Sequence, residues 1–219
     1  MSSVRLSQLG EGLAAAIGGL RGEAAVVGSV NPPAEGCLDG ACRAAGLKGP
    51  YYAGRDFPHG VVMMVDSPSA VGMDRILNVK AAYANCGGAC IVADFGTAVS
   101  LSAADEAGRF IGGAIMPGVG LALDCLSKHT ALLPRVDAAL PDSPLGRSTP
   151  AALRSGCVFG ALGGVKEVIS RIGAALGKEF RVYYTGGDGA LMESIAPAEW
   201  MHVPGLTIEG LRLAYEERG

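Results

Sequence analysis

Apolar residues recur at helical spacing near the start of the chain, at Leu6, Leu9, Leu13, Ile17 and Leu20, which predicts a helix over 6–20. A short apolar run at 24–30 reads as a strand, halted by Asn31-Pro32-Pro33. Residues 34–46 suit a second helix, followed by extended pieces around Tyr51-Tyr52 and over 61–65, with Ser67-Pro68 punctuating their end. From Asp74 the pattern sharpens: DRILNVKAAYANC is helical and runs directly into the buried-looking strand ACIVA. A β-meander is then expected over 90–93, 99–101 and 110–116, with the turn DEAG at 105–108 joining its last two strands. Beyond it we expect a helix near 121–127, a proline-containing loop over 133–149 and a long helix over 150–176, whose first turn accommodates Pro150. A strand over 180–184 ends in TGGDGA before another helix, and 206–217 forms an amphipathic helix. Helices alternating with strands place the chain in the α/β class.

With 219 residues, 49% of them hydrophobic, the chain has ample apolar surface for a core. Its 18 basic and 21 acidic residues are well mixed, giving a net charge of −3 and no basic block that could follow a phosphate backbone. No uncharged run reaches the about 18 residues needed to span a bilayer, and LAAAIGGL lacks a basic leader. These features predict a soluble, cytoplasmic protein with neither nucleic acid nor membrane as partner. The spacings Cys37-x4-Cys42 and Cys86-x3-Cys90 are not zinc knuckles, so the six cysteines read as buried thiols, and His59, His129 and His202 stand apart from one another.

Three clusters carry candidate chemistry. In VADFGTAVSLS, Asp94 ends a strand, Gly96 permits a tight turn and Thr97 begins the return strand. Such a turn suits phosphate oxygens with a cation beside them, although an ordinary hairpin has the same pattern. In VGMDRILN, Asp74 and Arg75 open a helix, where the acid either complements the helix dipole or acts as a base beside a charge-balancing arginine. In YYTGGDGA, paired glycines at a strand end admit close approach of a flat ligand and also describe many αβ turns. Glycines inside the long helix suggest contact with another helix, either packing or a dimer seam.

The ordered set VGMDR, DFGTA, IGGAIMPG, TALLP, GRSTPAALRSG, TGGDGA and LTIEGL resembles the type III pantothenate kinases over essentially the whole chain. The resemblance implies an actin-like ATPase (ribonuclease H-like) duplicated fold, here with residues 1–73 as the remnant of the first half and 74–219 as the second. It implies ATP-dependent phosphorylation of pantothenate to 4′-phosphopantothenate, on the route to coenzyme A. Asp74 would be the catalytic base, and Gly72, Met73, Asp74, Arg75 and Thr149 would contact pantothenate. Gly96, Thr97, Gly186 and Gly187 would bind ATP with Mg2+. Asp94 would hold the monovalent cation, K+ or NH4+. Members are homodimers whose substrate pocket is completed at the subunit interface, in keeping with the small-residue face Ser155, Gly156, Gly160 and Gly163.

The sequence departs from that family in two places. Its members open with a strand carrying an Asp-x-Gly-Asn-Thr-like loop, whereas DFGTA is the only D-x-G-T here, so the first half is expected to be truncated at its N-terminus. Val65 also stands where many members carry an aromatic. Two readings of the first departure follow: a start within a normal kinase gene, or a shortened, weakly catalytic or non-catalytic ligand-binding or regulatory relative. A kinase or phosphatase of the same fold acting on another hydroxyl substrate is the third option.

Overall fold

The computed structural model describes residues 22–218; the helix expected over 6–20 lies outside them. A small parallel sheet pairs β1 (Ala24–Val27) with β2 (Lys48–Tyr52), joined by α1 (Pro32–Ala44). Pro32 and Pro33 were expected to precede this helix, but they form its first turn, where a missing N–H costs no intrahelical bond. The piece expected over 61–65 runs parallel to the start of a later strand: Phe110 N–H donates to Val62, and Met64 N–H donates to Phe110.

The main body is a five-stranded mixed sheet. Helix α2 (Met73–Cys86) leads into the antiparallel meander β3 (Cys90–Phe95), β4 (Ala98–Ala104) and β5 (Phe110–Pro117). There follow α3 (Val119–His129), α4 (Thr149–Leu176), β6 (Arg181–Thr185), the single turn α5 (Gly189–Met192), β7 (Met201–His202) and α6 (Leu206–Glu216). The strand order is β5-β4-β3-β6-β7, with β6 parallel to β3 and β7 parallel to β6. This meander extended by parallel strands is the ribonuclease H-like arrangement that the sequence led us to expect. Strand β4 runs three residues beyond the expected 99–101, because Ser102, Ala103 and Ala104 are held between two ladder partners that outweigh their weak strand propensity. The DEAG turn closes as anticipated: Asp105 accepts from the N–H groups of Ala107 and Arg109, and Gly108 takes φ +72°.

Alternation along the strands sorts side chains to two cores. Ile91, Ala93, Phe95, Val99 and Leu101 face α3 and α4. Cys90, Val92, Ala104 and Tyr183 face α2 and α6 with Val79 and Leu206. A third cluster, Leu77 and Leu211 with Ala53 and Phe57, joins α2 and α6 to the region of the small sheet. The two helices touch where Gly210 meets the carbonyl of Leu77, an approach that any Cβ at 210 would block. Lys80 of α2, 8% exposed, reaches Glu217 just past α6 at 2.5 Å. Not all cysteines are buried, as had been expected: Cys42 and Cys90 are, whereas Cys125 is exposed, because α3 turns it away from the core. Among the described residues, no helix is long and apolar enough to cross a membrane.

The contact at Gly210 leads to a prediction. Gly210→Val should destabilise the protein by about 1–3 kcal/mol, because the helices must part. Gly36→Ala, in an exposed helical position with open space around it, should stabilise by about 0.5–1 kcal/mol. Urea midpoints of the two variants measure both.

Candidate functional site

Asp94 occupies the penultimate position of β3, on the face that α2 covers. Its partner strand β6 runs parallel, with Thr185 opposite Asp94, so the DFGTA and TGGDGA loops leave the carboxyl ends of adjacent strands together. This is where open α/β sheets place their ligands. The two loops are locked to each other: Asp188 N–H donates to the Phe95 carbonyl at 2.8 Å. Gly186, at φ +100°, lies so close to this turn that a Cβ would strike the Phe95 carbonyl and come within 2.5 Å of Asp94 Oδ1. Gly187 has open space around it. Gly96 forms the turn between β3 and β4 without a left-handed φ, and a Cβ there would make an ordinary contact with Asp94 Oδ1 at 3.7 Å.

The third wall comes from the end of β5. Gly118, the residue before α3, donates its N–H to the Thr97 carbonyl at 3.1 Å, and a side chain at 118 would collide with the Gly96 and Thr97 carbonyls. Together these segments enclose a cleft of about 620 Å³ lined by Gly96, Thr97, Gly120, Leu121, Asp124, Lys128, Gly187 and Asp188. The N-terminus of α3 opens into it with the free N–H groups and positive dipole end that suit an anion. At the rim, Lys128 pairs with Asp124 one turn earlier at 2.6 Å.

Helix α2 delivers the second carboxylate. Asp74 follows the N-cap Gly72, and its Oδ1 accepts from the Arg75 N–H at 2.8 Å. A Cβ on Gly72 would lie 2.5 Å from this oxygen, so the glycine makes room for the acid. Arg75 is half-buried and turned onto β4: Nε donates to Ser102 Oγ at 3.1 Å and Nη2 to the Leu101 carbonyl at 2.9 Å. Gly113 of β5 faces Ser102, and a Cβ there would stand 2.8 Å from Arg75 Nη2. Part of the IGGA motif is therefore space for an arginine. Met73 packs with the cluster that joins α2 to the small sheet.

One turn after Asp74, Asn78 is 1% exposed and holds Asp94. Its Nδ2 donates to Asp94 Oδ2 at 2.9 Å, and its Oδ1 accepts from Thr207 Oγ1 of α6 at 2.7 Å. Burial pushes the Asp94 carboxyl above the usual carboxylate range; the Asn78 bond opposes this and the nearby Asp74 charge adds to it. The other oxygen, Oδ1, lies beside Gly96 and Gly186, which bring no side chain against it, so the carboxylate could hold a hard cation on that side.

Of the residues singled out from sequence, Gly96, Thr97 and Gly187 line the cleft, Gly186 backs it, and Asp74 and Asp94 lie within electrostatic reach of each other. Thr149 is exposed at the first position of α4 and is not among the cleft-lining residues. Within the small-residue face, Gly156, Gly160 and Gly163 are exposed and open, whereas Ser155 points elsewhere, donating to the Pro144 carbonyl at 2.5 Å. Sequence reasoning gave no role to Asn78, Asp124 or Lys128, and Gly118, Asp188 and Thr207 entered only as members of the IGGAIMPG, TGGDGA and LTIEGL motifs. Gly118 had a readable signal, a glycine between strand and helix; Asn78 had none, because its partners are distant in the chain.

Comparison with known proteins places these features in context. The sequence profile described as type III pantothenate kinase matches residues 3–171. A type III pantothenate kinase of Anaeromyxobacter sp. (strain K) is 35% identical over 196 residues, covering 90% of this chain and 77% of the relative. One from Dehalococcoides mccartyi (strain ATCC BAA-2266 / KCTC 15142 / 195) is 36% identical over 188 residues, covering 86% and 73%. Among solved structures, a conserved Campylobacter jejuni protein assigned to the Baf family of transcriptional activators superposes with a TM-score of 0.64. At 18% identity, covering 98% of this chain and 88% of the other, it shares the fold.

The two adjacent glycines of TGGDGA should respond differently to substitution. Gly186→Ala must displace the DFG backbone and is expected to destabilise by about 1–3 kcal/mol, whereas Gly187→Ala should change stability by no more than about 0.5 kcal/mol. Chemical denaturation of the pair checks this.

Proposed function

The chain belongs to the type III pantothenate kinase family, and from that premise we infer that it transfers the γ-phosphoryl group of ATP to the hydroxyl of pantothenate, giving 4′-phosphopantothenate. The observation that carries the reading is that two carboxylates, Asp74 at a helix start and Asp94 at a strand end, lie within electrostatic reach, with Asp94 two residues before the Gly96 wall of a cleft that a helix N-terminus enters. Phosphoryl transfer asks a protein for this: an in-line arrangement, neutralised phosphate charge and a base near the attacking oxygen. The non-catalytic alternative has no observation of its own in its favour.

Each group then has a role. Asp74, its Oδ1 held by the Arg75 amide, accepts the hydroxyl proton at Oδ2 while the attacking oxygen bonds to phosphorus and the bond to ADP breaks. Arg75 keeps Nη1 donors beyond those committed to β4, available to a negatively charged part of pantothenate. Gly72 and Met73 complete that side, and Thr149 supplies a further substrate contact. Thr97, Gly96 and Gly187 receive the nucleotide with the α3 terminus, and Gly186 lets the loop close against Asp94. Magnesium on the phosphates and a potassium or ammonium ion at Asp94 supply charge neutralisation when bound.

The same reading divides the chain at residues 73 and 74. It is supported by the separation of the two sheets, which face each other across α2 and α6. It also makes the protein a cytoplasmic homodimer, with the open face of Gly156, Gly160 and Gly163 on α4 as the seam.

Two measurements test it. Asp74→Asn should lower pantothenate-dependent ADP release by a factor on the order of 10²–10⁴ while calorimetric ATP binding persists; equal turnover would remove Asp74 from its role. Gly160→Trp should shift sedimentation from dimer to monomer, and a variant that still sediments as the wild type does would exclude this seam.

A further inference from the structure

The carboxylate of Asp94 is oriented by a relay that starts on a different element. Thr207 Oγ1 donates to Asn78 Oδ1 at 2.7 Å, and Asn78 Nδ2 donates to Asp94 Oδ2 at 2.9 Å. A side-chain amide has one acceptor end and one donor end, and at 1% exposure Asn78 has no solvent to satisfy whichever end is left over. A carboxylate only accepts, so the donor end must face Asp94. A flipped amide would set its oxygen against the carboxylate, so Asp94 fixes the orientation, and the Thr207 hydroxyl donates to the acceptor end and anchors the amide in place. The relay thus occupies Oδ2 of Asp94 and leaves Oδ1 facing the bare positions Gly96 and Gly186. Its geometry depends on Gly210, one turn after Thr207, whose missing Cβ lets α6 approach the Leu77 carbonyl next to Asn78.

We propose that Thr207 and Asn78 are positioning residues for the monovalent cation: through these two hydrogen bonds they aim Asp94 Oδ1 at the ion, making α6 part of the site. The proposal rests on the reading of Asp94 as the cation ligand. Neither residue touches substrate. Their effect is on cation affinity more than on the proton transfer at Asp74 or the binding of pantothenate.

The experiment compares wild type, Thr207→Val, Thr207→Ser and Asp94→Asn. Thallium NMR reads monovalent-ion binding without turnover, and the potassium concentration for half-maximal activity reads it during turnover. Loss of one hydrogen bond in a chain ending on a charged group should weaken cation binding roughly tenfold in Thr207→Val and change the pantothenate KM by less than about twofold. Thr207→Ser, which keeps the hydroxyl, should bind the cation as the wild type does. Unchanged binding in Thr207→Val, with binding abolished in Asp94→Asn, would overturn the relay and leave the cation site standing. Equal weakening in Thr207→Val and Thr207→Ser would also overturn it, because packing rather than the hydroxyl would be responsible. Wild-type binding in Asp94→Asn would overturn the cation reading and the relay with it.

Discussion

Helix α2 sits against the sheet through polar bonds placed inside an apolar interface, and the site depends on them. Arg75 is fastened to the Leu101 carbonyl and Ser102 of β4, and Asn78 to Asp94 of β3, so the helix can neither rotate nor slide without stranding a buried polar group. Apolar contacts such as those of Leu77 and Val79 supply adhesion, but many registers would satisfy them equally. The hydrogen bonds choose one. Because Asp74 precedes Arg75 on the same helix, fixing the arginine also fixes the proposed base relative to the carboxylate on β3.

Glycine serves the same end by removing obstacles. Gly72 makes room for the Asp74 carboxylate, Gly113 for the Arg75 guanidinium, Gly186 for the Phe95 carbonyl and Gly118 for the DFGT turn. Gly186 and Gly113 combine close packing with a positive φ, at +100° and +159°. These glycines admit close approach around one site, while others, such as Gly36 and Gly160, face open space.

Much of this was legible in the sequence where the cause is local. The DFGTA turn, the GMDR helix start and the DEAG hairpin are each specified within a few residues, and their positions follow from periodicity and turn chemistry. What escaped depends on distant partners. Asn78 bonds to residues 16 and 129 positions away, and nothing in ILNVK distinguishes such an amide from a solvent-facing one. Strand β7 has two residues and no period to read; it exists because β6 offers it a free edge. Gly96 lines the cleft as part of the turn, but with a backbone that needs no left-handed φ, so the turn pattern alone does not explain the glycine.

The bond between Asn78 and Thr207 closes a loop of 129 positions, and that between Lys80 and Glu217 one of 137. Contacts so far apart in the chain carry a larger entropy of bringing their ends together than those within the local meander. The meander β3-β4-β5 can therefore take shape with Asp94 already in its strand but without the α6 hydroxyl that completes the Asn78 relay. The ligand-ready geometry is therefore complete only when α6 is docked and is not a property of the DFGTA turn by itself.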